Sequence, residues 1–397
     1  MFTQKKSYYK VLQTLFLISI IFASAYAIIY INVLNQNIPL VQASSGKMKV
    51  RLEISVYDYE GNLKDRVIKD DDMILSNFIE FLTAFFTDTY PTAVEVDLQD
   101  ISDTQRTFII HQSGGSNANT FTDSESDTED KGGFIGIGTD ATAPTRADVD
   151  LGTQQEGLTQ NDANYPAYSN VSGIFVSQTT IASTGTYNVV EAGYYVNWVD
   201  ELGTVRTIML MHDVFNPVGV IPTDDIVVSY SLIFDGVEFN QNFGIWFETL
   251  LGTYPDGDLI QASFYRTTGV VAYIAVYLDA SSGWFGQYDT DQDINANIYF
   301  RISTSDTTPT RTTYQLTGLV ESYYKPNPVP VCTDTDMTVE TAITVSANRS
   351  INASGLYVYA PDSGITYWEF LMIHATFSTV EVEVGTAFNV IDLITFT

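Results

Sequence analysis

The feature that most constrains this chain is that its second half repeats its first. A forward step of 162 residues carries Ala192-Gly193-Tyr194-Tyr195-Val196 onto Ser354-Gly355-Leu356-Tyr357-Val358. The same step carries His212-x-x-Phe215 onto His374-x-x-Phe377, and Leu232-Ile233-Phe234 onto Ile394-Thr395-Phe396. Residues 175–234 align with 337–396 without a gap, and 13 of those 60 pairs are identical. Chance likeness between two β-rich segments is the competing explanation. Against it, the chain has 3 histidines and two of them fall at one aligned position. Two copies are too few for an open solenoid, so the pattern predicts two tandem copies of one domain.

With small gaps the match extends upstream. Gly138-Thr139-Asp140-Ala141-Thr142-Ala143-Pro144-Thr145-Arg146 corresponds to Ser303-Thr304-Ser305-Asp306-Thr307-Thr308-Pro309-Thr310-Arg311. Asn77-Phe78-x-x-Phe81 corresponds to Asn242-Phe243-x-x-Trp246, each opening a helix-like stretch.

The periodicity is mainly that of strands. Residues 48–58 alternate, with Val50, Leu52, Ile54 and Val56 on one face, ahead of a turn at Tyr59-Glu60-Gly61-Asn62. Residues 74–87 place Phe78, Phe81, Leu82, Phe85 and Phe86 at helical spacing, and a second helix is expected near 242–251. Short alternating runs bounded by Gly, Asn, Asp and Pro fill most of the remainder, and 25 Tyr and 23 Phe favour strands. The prediction is a mainly β protein: two tandem homologous β-sandwich domains, each with one short helix, after an N-terminal hydrophobic helix. The expected segments are 1–45, 46–234 and 235–397.

The first 45 residues carry an export signature. Lys5, Lys6 and Lys10 precede an uncharged apolar run, Val11 to Leu34, of 24 residues. That length spans a bilayer, and the lysines place the N-terminus in the cytoplasm with the body outside. A retained anchor through residues 11–34 and a long signal cleaved after Ala27 or Ala43 both fit. Sequons at Asn170, Asn348 and Asn352 suit a glycosylated exterior. Cys332 is the only cysteine, so no disulfide closes within the chain. A net charge of −30 argues against nucleic-acid partners.

Signals for chemistry are sparse. Asp289, Asp291 and Asp293 alternate as calcium ligands do, but Ile294 and Phe300 stand where an EF-hand needs glycine and glutamate. Calcium is therefore the one cofactor expectation, with a solvated acidic loop as the alternative. Asp123, Glu125, Asp127, Glu129 and Asp130 lie at the corresponding place in the first copy. His212 and His374 sit among apolar strand residues, which suits a repeated packing role better than catalysis. No Gly-x-Ser-x-Gly, His-Glu-x-x-His or phosphate-binding loop occurs, so no enzyme is expected.

The stretch from Phe134 to Leu151, with Glu191-Ala-Gly-Tyr-Tyr later, resembles β-sandwich modules of archaeal surface and filament proteins and of viral tail appendages. The resemblance covers about 100 residues per copy. The second copy departs from it: Ser303 and Ser305 fall among the loop glycines' places, and Ala353 replaces Glu191. The resemblance implies a structural or adhesive role outside the cell.

One strand is unaccounted for. The first copy has an opening strand at 48–58, whereas the helix at Asn242 follows the strand ending at Phe234 almost at once. A sheet lacking a strand presents unpaired backbone to another chain. The expectation is an exported filament or appendage subunit whose partners are copies of itself, with Val50, Leu52, Ile54 and Val56 as the donated strand. The alternative is a membrane-anchored adhesin or virion-like attachment protein that binds surface glycans or cell-envelope proteins.

Overall fold

The computed structural model describes residues 40–42, 46–70, 73–87, 93–113, 132–236, 239–251, 261–275, 287–288, 298–305, 307, 309–324, 330–333, 335–361, 367–385 and 387–396. The described residues begin with β1 (Leu40–Gln42), β2 (Gly46–Tyr57), β3 (Leu63–Asp70), β4 (Met73–Ile74) and helix α1 (Ser76–Phe85). The hairpin β5 (Val94–Gln99) and β6 (Gln105–Ser113) follows, then β7 (Gly132–Gly138) and β8 (Gln154–Gln160). The first half closes with β9 (Ala167–Ser169), β10 (Ile174–Ala182), β11 (Tyr187–Val199), β12 (Val205–Val220) and β13 (Asp225–Asp235). The second half runs through α2 (Gln241–Leu250), β14 (Gln261–Tyr265), β15 (Val271–Ala275), β16 (Gln287–Tyr288), β17 (Ile298–Ser303) and β18 (Leu319–Tyr324). It ends with β19 (Val331–Cys332), β20 (Asp336–Thr344), β21 (Arg349–Pro361), β22 (Tyr367–Val382) and β23 (Ala387–Phe396).

Among the described residues the fold is mainly β, with several sheets and two short helices. One sheet has the order β19-β20-β23-β2-β13-β10-β9, with β1 on β23 and β3 on β2. Read from either end the order is the same, because β9, β10 and β13 sit at the aligned places of β19, β20 and β23. The lone strand β2 occupies the centre. Two further sheets, β4-β12-β11-β7-β8 and β22-β21-β17-β18, match each other strand for strand, and Phe239 bridges Ile373 where β4 meets β12. Even the irregularities repeat. The β11–β12 ladder shifts register at Val189/Glu191 and Tyr194/Tyr195, and β21–β22 at Ile351/Ala353 and Leu356/Tyr357, each 162 residues later.

Alternation explains the packing. One face of β2 (Met48, Val50, Leu52, Ile54, Val56) and one face of β13 (Ile226, Val228, Tyr230, Leu232, Phe234) enter a single core. That core also takes in Tyr194, Trp198, Met337, Ile343, Leu356 and Val358, so it runs through both halves. The helices join the halves. α1 and α2 lie antiparallel, with Phe78 on Phe247 at one end and Phe86 on Phe243 at the other. Between them Trp246 stacks on Phe85, ring centroids 4.0 Å apart.

The repeated Asn-Phe motif has a polar purpose. Asn77 donates to the carbonyls of Gln99 and Met209 and accepts from the Gln99 amide. Asn242 does the same with Tyr265 and Leu371. Each buried amide thus ties a helix, a hairpin and a strand together while leaving no polar atom stranded.

Candidate functional site

Two places hold groups that packing alone does not explain: the junction of the halves and a charged cluster in the first half. At the junction, β2 pairs antiparallel with β13 over eleven positions, Lys47↔Asp235 to Tyr57↔Asp225. Its opposite edge pairs with β3 from Arg51 to Tyr57. Val50, Leu52, Ile54 and Val56 are thereby buried and paired with β13 on one side, and Leu52, Ile54 and Val56 pair with β3 on the other. The expectation that these four residues form a donated strand is therefore corrected: β2 is committed to partners within its own chain.

The opening strand that the second half lacks comes from just upstream. Leu40–Gln42 pair parallel with Asn389–Ile391, and Gly46–Met48 pair parallel with Ile394–Phe396. β1 and the first residues of β2 thus serve β23, while Lys47–Tyr57 of β2 serve β13. Gly46 is required by contact: a Cβ there would lie 2.7 Å from the Phe239 ring. The exposed outer strand β3 carries Lys64, Asp65, Arg66, Lys69 and Asp70, charges that discourage edge-to-edge pairing. Lys64 and Lys69 reach down to the buried carboxylates of Asp224 and Asp213.

The charged cluster lies on the other sheet of the first half. Glu191, buried on β11, accepts backbone hydrogen bonds from Asp140 (2.9 Å), Gly152 (3.0 Å) and Thr153 (3.0 Å). Its fourth partner is His212 on β12, whose Nε2 lies 3.3 Å from Oε2 while Nδ1 lies 2.7 Å from Asp148 Oδ2. A protonated imidazole here donates to both carboxylates. Burial opposes that protonation, but the hydrogen bonds and charges of Glu191 and Asp148 prevail and raise His212 above its ordinary value. Burial likewise works against ionised Glu191 and Asp148. For Glu191, His212 and the three amides outweigh it; for Asp148, Thr145 and His212 do, so both sit low.

No protein-family model, curated protein or solved structure matches this chain.

The molecule supplies its own comparison. In the second half Glu191 becomes Ala353 and Asp148 becomes Thr313, and the strand partner of Glu191, Gly138, becomes Ser303. A Cβ on Gly138 would lie 2.2 Å from the Glu191 carboxylate, so glycine and glutamate go together. With alanine opposite, Ser303 fits. Its hydroxyl accepts from the Ser305 amide at 3.0 Å and donates to the Thr317 carbonyl. Ser305 and Thr317 align with Asp140 and Gly152, so one loop is anchored ionically in the first half and neutrally in the second. The cluster is thus a loop anchor; its polar atoms are committed to the protein. Among the described residues no group of His, Cys, Asp and Glu is arranged to hold a metal.

His374 has lost its carboxylates. It is buried against the Thr310 carbonyl, and burial pushes it down to about 4. The two histidines therefore drive stability in opposite directions with pH. His212, raised, contributes fully below the ordinary imidazole value of about 6.5 and loses that contribution as pH climbs through its folded value. His374, lowered, contributes nothing adverse above about 6.5, and destabilises as pH falls from there towards about 4, by on the order of 3 kcal/mol. Thermal melts against pH will check this. His374→Gln should flatten the fall between pH 6.5 and 4, and His212→Gln should flatten the loss above 6.5. Unchanged slopes in both variants would refute the assignment.

The other predicted positions disperse. Asp289, Asp291 and Asp293 lie outside the described residues, as do the acidic residues 123–130 and the apolar run 11–34. Among the described residues no helix is long and apolar enough to cross a membrane. Asn170 is exposed in a turn; Asn348 is exposed but its side chain accepts from the Val384 amide at 2.8 Å. Asn352 is half-buried in β21 with its carbonyl oxygen buried and unpartnered. Cys332 is half-buried 2.6 Å from the Thr83 hydroxyl, linking β19 to α1. The Gly138–Glu191 pairing and the role of Leu40–Gln42 and Gly46–Met48 were missed from sequence. The joint change to Ser303 and Ala353 was the available signal for the first.

Proposed function

We propose that this protein is an exported structural subunit of an extracellular filament or surface appendage. In this reading the chain holds two tandem homologous β-sandwich domains that share β2. The observation that carries it is the cover on β23: the second half is completed by the N-terminal segment of the chain, on six positions, where β13 has eleven. A sheet edge completed by a short added strand is the arrangement by which subunits join by strand addition. The lysine-flanked apolar run supports export, and the net charge of −30 supports a solvated outer surface.

The test is assembly of the exported protein. Negative-stain microscopy and light scattering of the secreted or cell-surface product should show filaments of regular width. A monodisperse monomer at every concentration and salt would overturn the proposal.

A further inference from the structure

We propose that the β1 segment is exchangeable: Leu40–Gln42 of a second copy of this chain can lie on β23 in place of the chain's own. The inference rests on the filament reading and on export that leaves Leu40–Gln42 in the mature chain, and it names the joint between subunits. Three observations carry it. First, within the described residues β1 pairs with β23 alone, over three positions, so its release leaves the eleven-position pairing of β2 with β13 in place. Such a segment belongs to the least stable part of a fold, where local opening is frequent. Second, its release strips hydrogen-bond partners from Asn389, Val390 and Ile391 of a strand whose other edge is held by β20 over nine positions. The acceptor therefore stays formed while its edge is open. Third, a segment that fits β23 within one chain fits the identical β23 of another, which makes exchange between copies a low-cost route to assembly. The first half offers no equivalent joint, because both edges of β2 are occupied from Arg51 to Tyr57. Each subunit then has one donor and one acceptor, and head-to-tail repetition gives an open chain.

Two versions of the full chain, both carrying Cys332→Ser, test this. One also carries Gln42→Cys and the other Ile391→Cys, positions that face each other in register. Mixed, assembled and oxidised, they should give far more covalent dimer on a non-reducing gel than either version oxidised alone, because the two cysteines face each other in register only if the segment crosses between chains. A chain carrying both cysteines should close on itself when dilute and form covalent ladders when assembled. Filaments with no covalent dimer, alongside internal closure of the double variant, would overturn the exchange and leave the filament reading standing. Absence of both filaments and dimers would overturn the two together. Should either variant melt well below the parent, Leu40→Cys with Asn389→Cys repeats the test one position away.

Discussion

Glu191→Ala is expected to destabilise the protein by about 3–5 kcal/mol, the scale seen when one partner of a buried ion pair is removed. Three backbone amides lose their acceptor and His212 keeps one carboxylate of two. Gly138→Ser alone should also destabilise, because its new Cβ meets the Glu191 carboxylate at 2.2 Å. Together the two changes recreate the Ser303–Ala353 arrangement of the second half. The double variant should therefore be more stable than Glu191→Ala alone, a reversal of sign that only contacting residues show. Chemical denaturation of the four proteins closes the cycle. Additive effects would mean that the two halves do not anchor this loop in equivalent ways.

Trp246→Ala is expected to cost about 3–5 kcal/mol, as large-to-small changes at fully buried aromatics do. The Trp246 ring lies 4.0 Å from Phe85 and 6.0 Å from Phe81 by centroid, so the cavity opens between the helices that join the halves. Two consequences should appear in one denaturation curve: a lower midpoint and a smaller slope, as the halves cease to unfold as one unit. A loss below about 1 kcal/mol with an unchanged slope would show that the helices are not the tie between the halves.

Much of this architecture was legible in the sequence because alternation reports a half-buried strand directly. β2 and β13 carry apolar residues at every second place, Met48 to Val56 and Ile226 to Phe234, and the alternation placed the first at 48–58 and the end of the second at Phe234. β3 was missed because it is an outer strand: its residues Leu63–Asp70 are mostly exposed and charged, so no apolar face marks it. β8, Gln154–Gln160, escaped for the same reason. Of the charged cluster, the sequence showed that His212 and His374 share a position and that Glu191 and Ala353 do not. It could not show that Asp148 and Glu191 lie on either side of one ring, since those residues are far apart in the chain. The donor assignment failed on adjacency. The strength of the alternation in β2 reflects burial against its own half, and the residues that cover β23 are too few to carry a pattern.

The shared central strand also sets an order of events. Leu40 meets Asn389 and Gly46 meets Ile394, so nearly the whole described chain separates these partners. Pairings so distant in sequence form late. As the chain emerges, β2 can find β13 once Asp235 is out, but β23 is the last of the described strands to appear. Until Phe396 arrives, β1 waits beside a place not yet built, next to any neighbour that has already finished its own.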